Sequence, residues 1–479
     1  MIRWKYTAGK AGFAKEVALG VMMTGFGALA ATDWEHRTLG FAPEHFDSEM
    51  SGRRMVEWYR HKGDPAWGGD AEFEDRFAVA KPVAGDAVGA PLLVVLHWRG
   101  GGVASGGIEG QVPLADDKDR VFSAPDGFYV LMLDAMRDYN VFINRSHDEY
   151  WWGATPRYRG PVREDVPRIM AGETSCEKRV LDSVEWTIRK YGIDRNRVYL
   201  CGNSMGGQAT YAIGLGHGEI FAAVNANVPA TVWFAAARLG FVDERGDDVK
   251  NDDLSRFPDP PICVEWSGID DVWSRERDVI VRAMARRQWP HIVLWGPFGH
   301  CGYVSEARMK NDLVERFDWL SVKKNEAYPV FTAATCDDKL PWPFKVWKPV
   351  KAWFGGWAGD IESAEMEIAD GAPVAGQINA FFRWRNIIDD ANGFEMELRI
   401  ASSEEIGSRQ FSSPESATAR VAVRRIQNRA LAGASEVEWT FGSRAGRIKR
   451  DAGGTLSIPG LEITRAPKVL RLKCAHIDR

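Results

Sequence analysis

Gly202-Asn203-Ser204-Met205-Gly206 contains a serine well placed to be a nucleophile. A G-x-S-x-G string is a common accident, so its context carries the weight. The apolar stretch Arg197–Cys201 runs straight into it, and a helical spacing over Gln208–Leu215 leaves it. Strand, tight turn and helix in that order make a nucleophile elbow. Small residues permit a strained turn packed closely on its neighbours. The turn lifts the Ser204 hydroxyl above the sheet, and the helix N-terminus behind it offers N–H groups to a developing oxyanion. A serine needs a base to take its proton and an acid to orient that base. The histidines after Ser204 are His217, His291, His300 and His476. His217 ends the elbow helix, His476 lies in a C-terminal β segment, and His291 opens the strand Ile292–Trp295 at its far edge. His300, in Gly299-His300-Cys301-Gly302, follows that strand at the carboxyl edge, where parallel sheets bind ligands. It is the candidate general base. The acid belongs after the preceding strand, Ile262–Trp266. There Ser267-Gly268-Ile269-Asp270-Asp271 supplies two carboxylates, of which Asp271 is preferred and Asp270 is the alternative. One oxyanion donor is the Met205 N–H. The second is assigned to the Trp98 N–H, within one residue either way, because Trp98-Arg99-Gly100-Gly101-Gly102 follows the strand Leu92–His97.

The segment Met136–Ser175 is long and aromatic. Trp151 and Trp152 are candidate platforms for a sugar or an aromatic acyl group, and Arg99 is a further candidate substrate contact. Arg157, Arg159 and Arg163 read as solvated surface charges more readily than as a carboxylate site. The chain carries no H-E-x-x-H, C-x-x-C or EF-hand loop, and no G-x-G-x-x-G between a strand and a helix. No metal and no cofactor are therefore expected.

These residues need a scaffold, and the 479-residue length implies more than one domain. At 45% hydrophobic and 27% charged the composition is that of a globular protein. The net charge of −5 leaves no basic footprint for nucleic acid. Between about residues 77 and 320 short apolar runs alternate with helical periods. Phe77–Val83, Leu92–His97, Phe128–Leu133, Arg197–Cys201, Phe221–Val228, Ile262–Trp266 and Ile292–Trp295 read as strands, and Lys178–Tyr191, Arg275–Arg287 and Asn311–Val322 as helices. That alternation predicts a mostly parallel sheet with helices on both faces. Beyond residue 325 the texture changes. Trp342, Trp347, Trp353 and Trp357 mark an aromatic connector, followed by short β segments: Gln377–Ile387, Phe394–Ile400, Ala419–Val423, Glu436–Phe441, Thr455–Ile458 and Val469–Leu472. This spacing suggests a β-sandwich.

Residues 1–31 contain a basic stretch, the apolar run Val17–Leu29 and the A-x-A site Ala28-Leu29-Ala30. They read as a secretory signal peptide, too short to span a bilayer, with a buried N-terminal helix as the alternative. The first reading implies a periplasmic or secreted protein and the second a cytoplasmic one. The expected organisation is this leader, an α/β domain over 32–325, a connector over 326–360 and a β domain over 361–479. Six cysteines do not make a disulfide framework, and a Cys263–Cys301 bridge stays open.

LLVVLHWRGGG, GIDRNRVYLCGNSMGGQ, SGIDDVW and PFGHCGY together resemble the α/β-hydrolase fold. Over roughly residues 75–320 they are most similar to bacterial esterases of the feruloyl and acetyl-xylan esterase and polyhydroxybutyrate depolymerase group. The resemblance implies an α/β-hydrolase domain with Ser204 as nucleophile, Asp271 as acid and His300 as base. It also implies a serine esterase that deacylates an ester-bearing, carbohydrate-linked substrate. The departures are Trp98-Arg99 in the oxyanion loop and the long 136–175 segment. Two other readings stay open: a serine peptidase of prolyl-oligopeptidase type, and a non-catalytic glycan-binding protein.

Overall fold

The computed structural model describes residues 41–62, 74–98, 102–103, 122, 124–134, 151, 166–230, 232–243, 245, 247, 249, 257, 259–271, 273, 277–300, 317–350, 363–407, 411–451 and 454–475. Residues 1–31, expected as a leader, lie outside them, as do Arg99, Trp152, Cys301 and most of the 136–175 segment.

Nine strands precede residue 300 among the described residues: β1 (Glu44–Ser51), β2 (Arg54–Lys62), β3 (Glu74–Ala80), β4 (Leu92–Leu96), β5 (Tyr129–Leu133), β6 (Val198–Asn203), β7 (Ala223–Asn227), β8 (Ile262–Gly268) and β9 (His291–Gly296). The C-terminal part adds β10 (Tyr328–Thr332), β11 (Val346–Val350), β12 (Ser363–Glu367), β13 (Gly376–Ile378), β14 (Phe382–Asp390), β15 (Gly393–Ile400), β16 (Ser416–Arg424), β17 (Glu436–Phe441), β18 (Arg444–Lys449), β19 (Leu456–Thr464) and β20 (Lys468–Cys474). The main sheet runs β1-β2-β3-β5-β4-β6-β7-β8-β9-β13. From β5 to β9 neighbouring strands are parallel, while β1–β3 and β13 are antiparallel flanks. Residues of β4 through β9 are buried throughout, as strands covered on both faces must be. The chain steps from β4 outward to β5 and then returns to place β6 on the other side of β4. A ligand crevice forms at such a switch, outside the carboxyl ends of the strands. The strand order and the helices on the sheet define an α/β-hydrolase domain.

Helix α1 (Val166–Ala171) precedes α2 (Ser175–Tyr191). Thr174 and Glu177 cap α2 reciprocally, and Gly192 at φ 63° ends it in the left-handed region. Glu177 also bonds His217 Nε2 at 2.8 Å and accepts two bonds from Arg238 at 2.9 Å. Burial alone would lower the His217 pKa, but its bonds to Glu177 and Glu219 overcome that and hold it at about 9. Burial would likewise raise the Glu177 pKa, yet His217 and Arg238 hold it at about 2. A histidine whose pKa is raised on folding stabilises fully below its unfolded value, near 6.5, and that stabilisation disappears as pH rises through about 9. The unfolding free energy of the wild type, read from urea titrations, is therefore expected to fall between pH 6.5 and 9.5 by an amount on the order of a few kcal/mol. In His217→Gln this alkaline slope should flatten, and an unchanged slope would remove His217 as its source.

The C-terminal strands make sheets β14-β15-β20-β17-β18 and β10-β16-β19, plus the pair β11-β12. Burial alternates along β15 and β17, and the inward residues of both larger sheets share one core. This is the sandwich the spacing predicted. The stretch expected as a single strand over Gln377–Ile387 is split. Asn379, at φ 60°, breaks it, so β13 pairs with β9 of the hydrolase sheet while β14 opens the sandwich. Residues 326–360, expected as a connector, supply β10 to the sandwich, and Trp342 packs edge-on against Trp295 at 5.9 Å. Strands β1 and β2 were not foreseen: β1 is exposed along nearly its whole length, Phe46 and Met50 included, so no buried face marks it as a strand. Of the helix expected over Asn311–Val322, residues 311–316 lie outside the described residues, and the described remainder holds a 3-10 turn at Trp319–Ser321. No helix among the described residues is long and apolar enough to cross a membrane.

Candidate active site

Ser204 sits between β6 and helix α3 (Met205–Ala209), which continues as a π-helical turn through Gly214. Its backbone is at φ 56°, ψ −114°, a region that a non-glycine residue rarely occupies. The surrounding glycines explain how such a turn is packed. A Cβ on Gly202 would overlap the Gly206 backbone, and one on Gly206 would overlap the Leu96 carbonyl at the end of β4. The elbow is also tied into the neighbouring strand. Ser204 N–H donates to the Asn227 carbonyl at 3.0 Å, and the Ser204 carbonyl accepts from Ala230 N–H at 3.1 Å.

Ser204 Oγ lies 2.6 Å from His300 Nε2, and His300 Nδ1 lies 2.8 Å from Asp271 Oδ2. Asp271 is fully buried, and its other oxygen accepts the Trp273 N–H at 2.8 Å. A carboxylate bonded at Nδ1 fixes the imidazole with its proton on that nitrogen, leaving Nε2 to accept from the serine. Of the two carboxylates the sequence offered, Asp271 is the one bonded to His300. Asp270 instead has a partly buried side chain, and that burial raises its pKa. Its N–H donates to the Phe298 carbonyl at 2.9 Å, which ties the acid loop to the histidine loop. Asp271→Asn is expected to lower turnover by about 10⁴-fold, because the amide stabilises the wrong tautomer, while Asp270→Asn changes it little. Steady-state kinetics of the two variants checks this contrast, and small, equal effects would contradict it.

Met205 opens α3, so its N–H falls in the first turn, which lacks partners within the helix. The carbonyls of Leu96 and His97, the residues just before Trp98, lie against Gly206, two residues beyond Ser204. Trp151 is not the stacking platform expected of it. Its ring is fully buried and its indole N–H donates to the His97 carbonyl at 2.9 Å. The predicted contacts Trp152 and Arg99 lie outside the described residues. His291 is buried at the start of β9, its Nδ1 donating to the Trp289 carbonyl at 2.9 Å.

A buried polar group beneath the site was not anticipated. Glu265 of β8 takes a bond from Arg277 at 2.6 Å and further bonds from Tyr211 and Ser267. Arg277, at the start of helix α5 (Arg277–Arg286; the intervening α4 is Trp233–Arg238), also donates to the Pro229 carbonyl. It thus bridges β8 to the segment after β7 that bonds Ser204. The available signal was a lone glutamate inside the apolar strand Ile262–Trp266, since a buried charge demands a partner. Cys263 is a free, buried thiol, so the bridge to Cys301 is not supported. Among the described residues no three His, Cys, Asp or Glu side chains are grouped to hold a metal ion.

Residues 174–245, spanning α2 and the elbow, match the model of the prolyl oligopeptidase family. No curated protein matches the chain at a significant level. Among solved structures, the S-formylglutathione hydrolase from Agrobacterium tumefaciens is similar over 58% of this chain and 99% of its own, at 14% identity and a TM-score of 0.40. A CE1 ferulic acid esterase from Anaeromyces mucronatus is similar over 58% of this chain and 93% of its own, at 17% identity and a TM-score of 0.36. The acylaminoacyl peptidase of Pyrococcus horikoshii is similar over 60% of this chain but only 42% of its own, at 15% identity and a TM-score of 0.34. The elbow, the strand order and the Ser-His-Asp series make this a serine hydrolase of the α/β-hydrolase type.

Proposed function

We propose that the protein is a serine carboxylester hydrolase that deacylates a carbohydrate-linked ester. The observation that carries the reading is the continuous series from Ser204 Oγ through His300 to Asp271, at 2.6 and 2.8 Å. In this mechanism Ser204 attacks the ester carbonyl while His300 Nε2 takes its proton. Asp271 holds the imidazole and stabilises its charged form. The N–H groups of Met205 and Trp98 receive the oxyanion. His300 then returns the proton to the leaving alcohol, and a water activated by the same histidine releases the acid. An alcohol leaves more readily than an amine, so the ester reaction makes the smaller demand on this machinery. The choice of acetyl or feruloyl ester follows from the sequence resemblance. Export through residues 1–31 belongs to the same reading, since polysaccharide esters lie outside the cytoplasm.

A peptidase is the second reading, favoured by the match of residues 174–245 to the prolyl oligopeptidase family. Assay of the full chain against acetylated xylan, methyl ferulate, p-nitrophenyl esters and N-acyl peptide anilides separates the two. Ester cleavage with anilide rates at least ~10³-fold lower is expected. Comparable or faster anilide cleavage would overturn the esterase reading in favour of the peptidase.

A further inference from the structure

The segment expected to carry substrate platforms contributes Trp151 in a different role. Its ring stands edge-on to the His97 imidazole, with centroids 5.0 Å apart at 63°. The Arg179 guanidinium lies 5.8 Å over the indole. The 2.9 Å bond from the indole N–H ends on the carbonyl of His97. That carbonyl and the N–H of Trp98 belong to one peptide group. A trans peptide is planar with its C=O and N–H pointing in opposite directions, so a bond that fixes the carbonyl also fixes the N–H. The peptide groups on either side are held as well. The Leu96 carbonyl is pressed against Gly206, and the Trp98 carbonyl accepts from His97 Nδ1 at 2.7 Å. Nearby, Arg179 donates to the Asp134 carbonyl at 2.6 Å, and Gly102 packs beside the Asp134 carboxylate.

We propose that Trp151 is a positioning residue for the oxyanion hole: its indole N–H sets the plane of the 97–98 peptide and so presets the Trp98 N–H for the tetrahedral intermediate. This rests on the serine hydrolase mechanism above, with Trp98 as a donor. A donor fixed before the reaction needs no reorganisation as charge develops, which is what makes it effective. Without the indole N–H, the 97–98 peptide loses this bond and with it a hold on its plane. Trp151 touches no reacting atom, so the loss should fall on the transition state and spare substrate binding.

The test uses the full chain with two replacements at position 151. Trp151→Phe removes the donor with a small loss of ring volume. Benzothienylalanine, introduced by codon suppression, keeps the ring volume and lacks the N–H. Active sites are titrated with a fluorophosphonate, and kcat is expressed per titrated site. Deleting an oxyanion donor outright costs about 10²–10³ in kcat, and loosening one should cost ~10–100-fold. That loss is expected in both variants, with KM for a p-nitrophenyl ester within about twofold of wild type. Affinity for an arylboronic acid, a mimic of the tetrahedral state, should weaken by the same factor as kcat/KM. A merely structural role would lower the titrated fraction or the melting temperature and leave kcat per site and boronate affinity unchanged, which overturns the proposal. A benzothienylalanine variant with wild-type kcat also overturns it, whatever Trp151→Phe does. A wild type that neither cleaves esters nor labels at Ser204 brings down the underlying mechanism, and the proposal with it.

Discussion

Replacing Ser204 by alanine is expected to abolish hydrolysis, by about 10⁴-fold or more, and to leave the melting temperature unchanged or slightly raised. The catalytic loss follows from the 2.6 Å contact between Ser204 Oγ and His300 Nε2, which has no substitute once the hydroxyl is gone. The thermal behaviour follows from the backbone. Ser204 is held at φ 56° by bonds from its main chain to Asn227 and Ala230, not by its side chain. A strained residue of this kind contributes to function at a cost to stability, and alanine keeps the same main-chain bonds. Turnover on a p-nitrophenyl ester and a thermal melt of the same preparation check both halves. Activity within tenfold of wild type would remove Ser204 from the mechanism.

Removing residues 330–479 is expected to give an insoluble or strongly destabilised hydrolase domain. The C-terminal strands do not hang from a tether. β13 extends the main sheet through β9, and the side chain of Asn379 donates to the carbonyls of His291 and Phe331, each at 3.0 Å. Arg424 donates to the carbonyls of Arg287 and Gln288, and Arg425 to those of Gly218, Phe221 and Asp259. Trp266, Ile292 and Leu294 of the hydrolase sheet share a buried cluster with Phe331, Phe382 and Val421. A large aromatic side chain buries about 150–250 Å², so the cut would expose several such surfaces together. The unpaired edge of β9 would also become a template for aggregation. Expression of a chain ending near residue 328, followed by sedimentation and activity, tests this. A soluble and fully active fragment would show an independent module, and the glycan-binding reading of the β region would then gain.

The sequence by itself determined the elbow and its chemistry. A strand, G-x-S-x-G and a helix can close only as a strained turn, and both glycines of the motif, Gly202 and Gly206, stand where a Cβ would clash. The order serine, acid, histidine then narrowed the search to the loops after β8 and β9, because only the carboxyl ends of parallel strands face the crevice. The alternating apolar periods likewise determined the parallel sheet and the sandwich behind it, since burial on one face or two leaves a readable pattern. Tertiary structure decided what depends on direction or on distant partners. Asp270 and Asp271 are adjacent and chemically identical, and only the path of the loop turns one of them toward His300. Trp151 looks the same in sequence whether it stacks a ligand or bonds a carbonyl, and its partner at His97 lies far away in the chain. Glu265 announced that it needed a cation, but not that Arg277 would be the one. Gln377–Ile387 has the period of one strand, yet it serves two sheets, because β9 has an open edge only in the assembled fold. Local pattern records whether a side chain is buried, whereas the partner it meets there is fixed only by the packing of segments remote in sequence.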